Sequence, residues 1–387
     1  MHLRELVGTS AKVNGDIEEM RASKYPLLIL GGGVRGKLIA DWFETESIKF
    51  EAFVETAKFW SEGKTLLGKS VYKYESLAEH FDKCNLFFAA TGPGIMEIWN
   101  NPAPVVNKAY YINRYTPYFG DVKMTVDWLN EHLDEFDETY QMLEDEESRQ
   151  IFLAYIEERT HCLKVKVPRI FELVSPSAAY FNELYDTNRY EHHTFADCGA
   201  FDGDSLEDFL KFMRAHNRTG SVYSFEPDMK NFKLLEQVAE RMKAEGLGDD
   251  IRCFPCGVGD KNETISFVMS RSGIRSYFEG QGTPKDTVAG SVTEVKVVRL
   301  DDVLKGTTVS SIKMDIEGSE MSALHGAASI IKEQLPYLAI CVYHRDDDLI
   351  TIPRYIQQLA RQAGKRYKFY LRQHNFAISD TVLYAVP

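Results

Sequence analysis

Two segments far apart in the chain follow one plan: an apolar strand, a glycine-rich turn and an amphipathic helix. They are YPLLILGGGVRGKLIADWF, starting at Tyr25, and HHTFADCGAFDGDSLEDFLKFM, starting at His192. Each is the opening of a mononucleotide-binding βαβ unit, so each calls for its own parallel sheet with helices on its faces. A chain of 387 residues is long enough for two such units. The class expected is therefore α/β, with two sheets in series.

The first opening is followed by FEAFVE, ending in Glu55, and by NLFFAATGPG, a strand with a glycine exit. This alternation gives a smaller Rossmann-like domain over 1–114. Residues 115–165 turn acidic and helical, as in DWLNEHLDEFDETYQMLEDEE, and read as a connector. The second domain is expected over 166–387. There VYSFEP, IRCFPCGV, SSIKMDIEG and YLAICVYH alternate with helical stretches, TISFVMS and EVKVVRL form a hairpin-like pair, and YKFYLRQ and TVLYAV close the chain without a helix between them. The outline is a mostly parallel seven-stranded sheet with one antiparallel strand at its end.

Charge and composition exclude several partners. The formal net charge of −13 repels a phosphate backbone, and no basic run offers a local exception, so nucleic acid is not expected. The longest apolar runs are strand-length, well short of the roughly 20 residues that span a bilayer, so no membrane association is expected. The mixed-charge N-terminus lacks a secretory pattern, and the expected location is the cytoplasm. Six scattered cysteines do not make a disulfide framework. Cys253 and Cys256 form one C-x-x-C with no second pair to complete a metal tetrahedron, and no metal site is assigned.

The chemistry concentrates in the second half. Asp197, Gly199 and Gly203 form D-x-G-x-x-x-G in the turn after the first strand, with Ala200 between them. Glycines let backbone amides approach a ligand, and the following helix presents unsatisfied donors. Glu226, followed by Pro227, ends the next strand, where a carboxylate can accept both hydroxyls of a ribose. The turn carries no lysine or arginine, which suits S-adenosylmethionine, a ligand with a ribose and no phosphate. The alternative is turn glycines beside a helix-capping acid. MDIEGSE then places Asp315, Glu317 and Glu320 at the same carboxyl edge, where acids can hold an amino group, position an acceptor hydroxyl or bind a divalent cation. They also suit the positive end of the helix that follows.

Several segments in order, DEESRQIF, FADCGAFDGD, YSFEPD, CGVGD, VVRLDDVL, IKMDIEGSEMSALHGA and LYAV, together resemble the FkbM-type methyltransferases over roughly Asp145 to Pro387. The resemblance implies a class I methyltransferase fold and O-methyl transfer from S-adenosylmethionine to sugars, polyketides or other small hydroxyl compounds. It implies cofactor contacts at Asp197, Gly199, Gly203 and Glu226, an adenine border at Gly257 and Val258, and roles near sulfonium and acceptor for Asp315 and Glu317.

The fifth strand ends in VYHRDDDL and brings Tyr343, His344 and Arg345 to that edge. A neutral imidazole suits the removal of a hydroxyl proton, so His344 is the expected general base and the alternative is a strand-end histidine. Arg372 and His374 are expected to reach acceptor groups such as carboxylate or phosphate. In the first half Gly31, Gly33 and Gly36 complete G-x-G-x-x-G between strand and helix, with Glu55 at the end of the next strand, which is the context of a nucleotide fingerprint. No Tyr-x-x-x-Lys pair occurs, so this half is expected to bind rather than react, or to serve packing and dimerisation. The expected partner is a small-molecule acceptor, a sugar or nucleotide sugar among them, and a homodimer is compatible with the sequence. The rival readings are a nicotinamide-dependent or nucleotide-sugar-binding enzyme using GGGVRG, and a non-catalytic ligand-binding protein.

Overall fold

Each strand–turn–helix opening starts its own seven-stranded sheet in the computed structural model. The structure describes residues 13–90, 92–112, 124–160, 163–164, 169–270, 277–278, 289–376 and 379–387. In the first sheet, β1 (Leu27–Leu30) is central because its four apolar residues are buried on both faces. It lies parallel to β2 (Ala52–Glu55) and to β5 (Cys84–Phe88). Short β3 (Thr65–Leu66), then β4 (Lys69–Lys73), extend one side. On the other side lie β6 (Val106–Ile112) and β7 (Leu163–Lys164), which runs antiparallel. Helix α1 (Val34–Thr45) leaves the glycine-rich turn and buries Ile39, Trp42 and Phe43 against the sheet.

The second sheet uses β8 (His193–Cys198), β9 (Gly220–Phe225) and β10 (Ile251–Phe254). After an insertion come β15 (Ser311–Met314), β16 (Tyr337–Cys341), β17 (Lys368–Gln373) and β18 (Thr381–Val386). Their order is β10-β9-β8-β15-β16-β18-β17. Strand order reverses between β8 and β15, and ligands of open α/β sheets bind in the crevice at such a point. This is the Rossmann-like methyltransferase arrangement. The antiparallel strand is not at the sheet's end as expected: β18 inserts between β16 and β17, because the tight return from β17 lays β18 along β16 from Leu338 to Cys341. The inserted segment forms a separate four-stranded sheet of β11 (Gly257–Val258), β12 (Glu263–Ser270), β13 (Tyr277–Phe278) and β14 (Ala289–Val298), and the expected hairpin is its β12–β14 pair.

Helix α2 (Glu146–Thr160) covers the exposed edge that β17 would otherwise present. Leu371 N donates to Ser148 Oγ at 2.9 Å, and Glu144 N to Phe369 O at 3.0 Å. Helices α3 (Asp204–Ala215), α4 (Met229–Ala244), α5 (Glu320–Gly326) and α6 (Asp348–Gln362) flank the second sheet. The stretch expected to be a connector thus adds α2 to the second sheet and β7 to the first, and part of it, with Cys162, lies outside the described residues. One apolar cluster runs from Leu28 and Leu30 through Phe152 and Ile156 to Leu371 and Leu383. Edge-on contacts of Tyr111 with Phe171 (5.5 Å between ring centres) and of Phe171 with Phe376 (6.5 Å) join the halves.

Candidate active site

The turn after β8 owes its path to Gly199 and Gly203, both at positive φ (80° and 95°). A Cβ on Gly199 would lie 2.0 Å from the carbonyl oxygen of Asp315, so the turn and the exit of β15 touch through bare backbone. Ala200 is fully buried, and its N–H and that of Gly199 donate to Phe225 O. Both sides of the topological switch therefore meet at Gly199.

Glu226, only 6% exposed, stands where β9 ends. Its Oε2 accepts from Phe201 N at 2.9 Å and its Oε1 from Asp228 N at 2.8 Å. Burial pushes its carboxyl up to about 7 despite these two donors. Pro227 leads into Asp228, which caps α4 by accepting from Lys230 N. Gly257 and Val258, past the end of β10, pair with Val297 and Val298 in the small sheet and are buried.

Asp197 has its carboxylate beside a lysine. It is fully buried inside β8, with Lys313 Nζ 3.3 Å from its Oδ1. Lys313 is paired with Asp197 in register on β15 and donates to Gly199 O at 2.5 Å. Burial works against its charge, but Asp197, Asp315 and Asp204 outweigh that and hold the ammonium protonated. Sequence reasoning missed Lys313. The signal was a single lysine in the buried strand SIKM, one strand away from a buried aspartate.

The carboxyl edge at β15 and β16 gathers five of the expected residues. His344 has a side chain 5% exposed, with Nε2 3.4 Å from Asp315 Oδ1 and 3.6 Å from Glu317 Oε2. Its Nδ1 lies 2.8 Å from Glu320 Oε1. Tyr343 Oη donates to Asp315 Oδ1 at 3.1 Å, and Tyr180 Oη reaches Asp315 Oδ2 at 3.5 Å. Asp315 and Glu317 keep 26% and 33% of their side chains exposed and form the open mouth of the group. Burial alone would lower the imidazole, but Glu320, then Glu317 and Asp315, push His344 up to about 10. A protonated imidazole cannot accept a hydroxyl proton, so with only these neighbours His344 departs from the neutral base expected of it.

Other expected contacts are taken up inside the fold. Arg345 Nε donates to Gly318 O at 2.6 Å and so fixes the Asp315–Glu320 loop. Arg372, 5% exposed, donates to Asp145 Oδ2 at 2.7 Å and to Ser148 Oγ at 2.9 Å, fastening α2 to β17 rather than reaching an acceptor. His374 Nε2 lies 2.7 Å from Tyr384 Oη, and burial pushes it down to about 4. Cys253 and Cys256 are free thiols, each raised by burial to about 11, which keeps them unreactive at neutral pH.

In the first half, Gly31 has φ 109° and a Cβ on Gly36 would lie 2.0 Å from Gly31 O, so the helix packs tightly on the turn. Gly33 caps α1 with open space beside it. Glu55 is buried and accepts from Lys64 Nζ at 2.5 Å, so the acid of the expected nucleotide fingerprint already has a cationic partner.

Residues 197–367 match the methyltransferase FkbM domain. The crystal structure of methyltransferase FkbM from Methylobacillus flagellatus KT is similar in fold, with a TM-score of 0.70 and 24% identity over 99% of this chain and 95% of that one. A putative rRNA-methylase from Clostridium thermocellum gives a TM-score of 0.30 at 9% identity over 50% of this chain and 84% of that one, too little to bear on the fold. No curated protein matches the chain. Among the described residues no helix is long and apolar enough to cross a membrane.

Proposed function

We propose that the chain, whose residues 197–367 match the methyltransferase FkbM domain, is a methyltransferase that methylates a hydroxyl oxygen of a small, carbohydrate-linked acceptor with S-adenosylmethionine as donor. The observation that carries this reading is the contact of Gly199 with the Asp315 carbonyl, which brings a cofactor-type turn and an acidic acceptor edge to one crevice. The residues fit the cofactor: Glu226 holds a buried carboxylate whose remaining lone pairs suit ribose hydroxyls, and Gly199 lets the turn lie directly against the exit of β15. When bound, S-adenosylmethionine supplies a methyl group on a positively charged sulfur.

Gly199, Ala200, Gly203 and Glu226 bind and orient it, with Pro227, Gly257 and Val258 walling the β9–β10 side. Asp197 acts from below by holding Lys313, which fixes the Gly199 carbonyl. At the acceptor edge, Asp315 and Glu317 are the exposed members and receive the acceptor's proton. His344, gripped by Glu320, keeps both carboxylates in place, while Tyr343 orients Asp315. Methyl transfer depends more on such positioning than on acid or base strength.

The test is incubation with S-adenosylmethionine carrying a labelled methyl group and a panel of sugars, nucleotide sugars and polyketide alcohols. The reading expects label in a stable ether of one hydroxyl compound. Label found only on nitrogen or carbon of a product would overturn O-methylation.

A further inference from the structure

We propose that Asp315, Glu320 and His344 form a binding site for one divalent metal cation of the Mn²⁺ type, one that accepts oxygen and imidazole ligands together. A carboxylate oxygen of Asp315, one of Glu320 and a ring nitrogen of His344 all lie within 4.8 Å of one another. Ligand bonds of about 2.0–2.2 Å place two donors on one ion no more than about 4.4 Å apart, so a few tenths of an ångström of closure suffices.

Two of the three donors are also left wanting. Glu320 is fully buried, and its Oε2 has no hydrogen-bond partner. Neither ring nitrogen of His344 has a hydrogen bond of acceptable geometry, although both face carboxylates at 2.8–3.6 Å. Buried polar atoms without partners are uncommon, and an ion is one of the ordinary explanations.

Charge points the same way. Asp315, Glu317, Glu320 and buried Asp348 surround one imidazole. The nearby cations are engaged elsewhere: Lys313 with Asp197 and Gly199 O, Arg345 with Gly318 O. A divalent cation would balance the carboxylates in place of the imidazole proton. The half-exposed Asp315 and Glu317 leave a route in from solvent, while Asp348, accepting from Arg345 N, steadies the loop that carries His344. The inference concerns metal binding alone and stands or falls apart from methyl transfer.

The experiment is titration of the full chain, first freed of metal by a chelator, with Mn²⁺ followed by electron paramagnetic resonance. The proposal expects one saturable site per chain, nitrogen hyperfine coupling from the imidazole in the bound-Mn²⁺ spectrum, and at least about tenfold weaker binding in Asp315→Asn. The nitrogen coupling should disappear in His344→Gln. If that buried substitution fails to fold, the wild-type coupling and the half-exposed Asp315→Asn still decide. No saturable binding at millimolar Mn²⁺, or bound Mn²⁺ without nitrogen coupling and indifferent to Asp315→Asn, overturns it.

Discussion

Replacing Lys313 by methionine removes the cation that Asp197 faces inside the sheet. Lys313 is 4% exposed and Asp197 fully buried, so water cannot take the ammonium's place. Asp197 must then either remain charged beside Asp204 and Asp315 or take up a proton. Protonation sets the ceiling: from a reference value of about 3.9, neutralising the carboxyl costs about 4 kcal/mol at pH 7 and about 1.5 kcal/mol at pH 5. The first figure agrees with the roughly 3–5 kcal/mol lost when one member of a buried ion pair is removed. The sign follows from linkage. Burial already holds the Asp197 carboxyl above its unfolded value and loss of Lys313 raises it further, so in the variant stability is retained below about 3.9 and lost as pH rises through the folded value. Urea unfolding of wild type and Lys313→Met at pH 5 and pH 7 reads both penalties. Adding Asp197→Asn to the variant should restore most of the loss at pH 7. A single variant as stable as wild type at pH 7, or a penalty equal at both pH values, would refute the argument that the pair is buried and charged.

Gly199→Ala puts a methyl group 2.0 Å from the Asp315 carbonyl at φ 80°. The left-handed backbone alone costs about 1–2 kcal/mol, and displacement of the reacting groups by about 1 Å should lower the transfer rate about 10²-fold. Unchanged melting temperature and rate would sink this reading of the turn. Glu226, raised to about 7 by burial, should bind ribose hydroxyls best when ionised. Cofactor affinity should therefore rise about tenfold between pH 6 and pH 8 and then level off, and a flat profile by calorimetry would count against it. In the free protein the protonated carboxyl's contribution to stability is present below 4.5 and lost as pH rises through about 7. Because one apolar cluster links the two sheets, a fragment starting near Val122 should aggregate. A monodisperse fragment that binds cofactor would show that the halves fold independently.

Much of the fold was legible because its signals are local. Glycine-rich turns between apolar strands and amphipathic helices reveal both sheets, and the spacing from Gly199 to Glu226 and on to Asp315 follows from strand order alone. What stayed hidden depends on side-chain direction across strands. Asp197 reads as a cofactor ligand from its place in the turn, yet its position within β8 points it at Lys313. Arg372 and His374 sit near the end of β17, but insertion of β18 carries that strand to the far edge, under α2 and away from the crevice. Nor does VYHRDDDL reveal that His344 will be ringed by carboxylates from the β15 exit loop and the start of α5.

The central claim, that S-adenosylmethionine binds the crevice between β8, β9 and β15, is tested most directly by calorimetry at pH 8 with the full chain. Wild type and Glu226→Ala are titrated with S-adenosylhomocysteine, which carries the same ribose. Loss of a charged acceptor should weaken binding by about 1.5–3 kcal/mol, roughly ten- to a hundred-fold, with the stoichiometry in wild type one per chain. Equal affinity in the two proteins, or no heat of binding in wild type, would contradict the account.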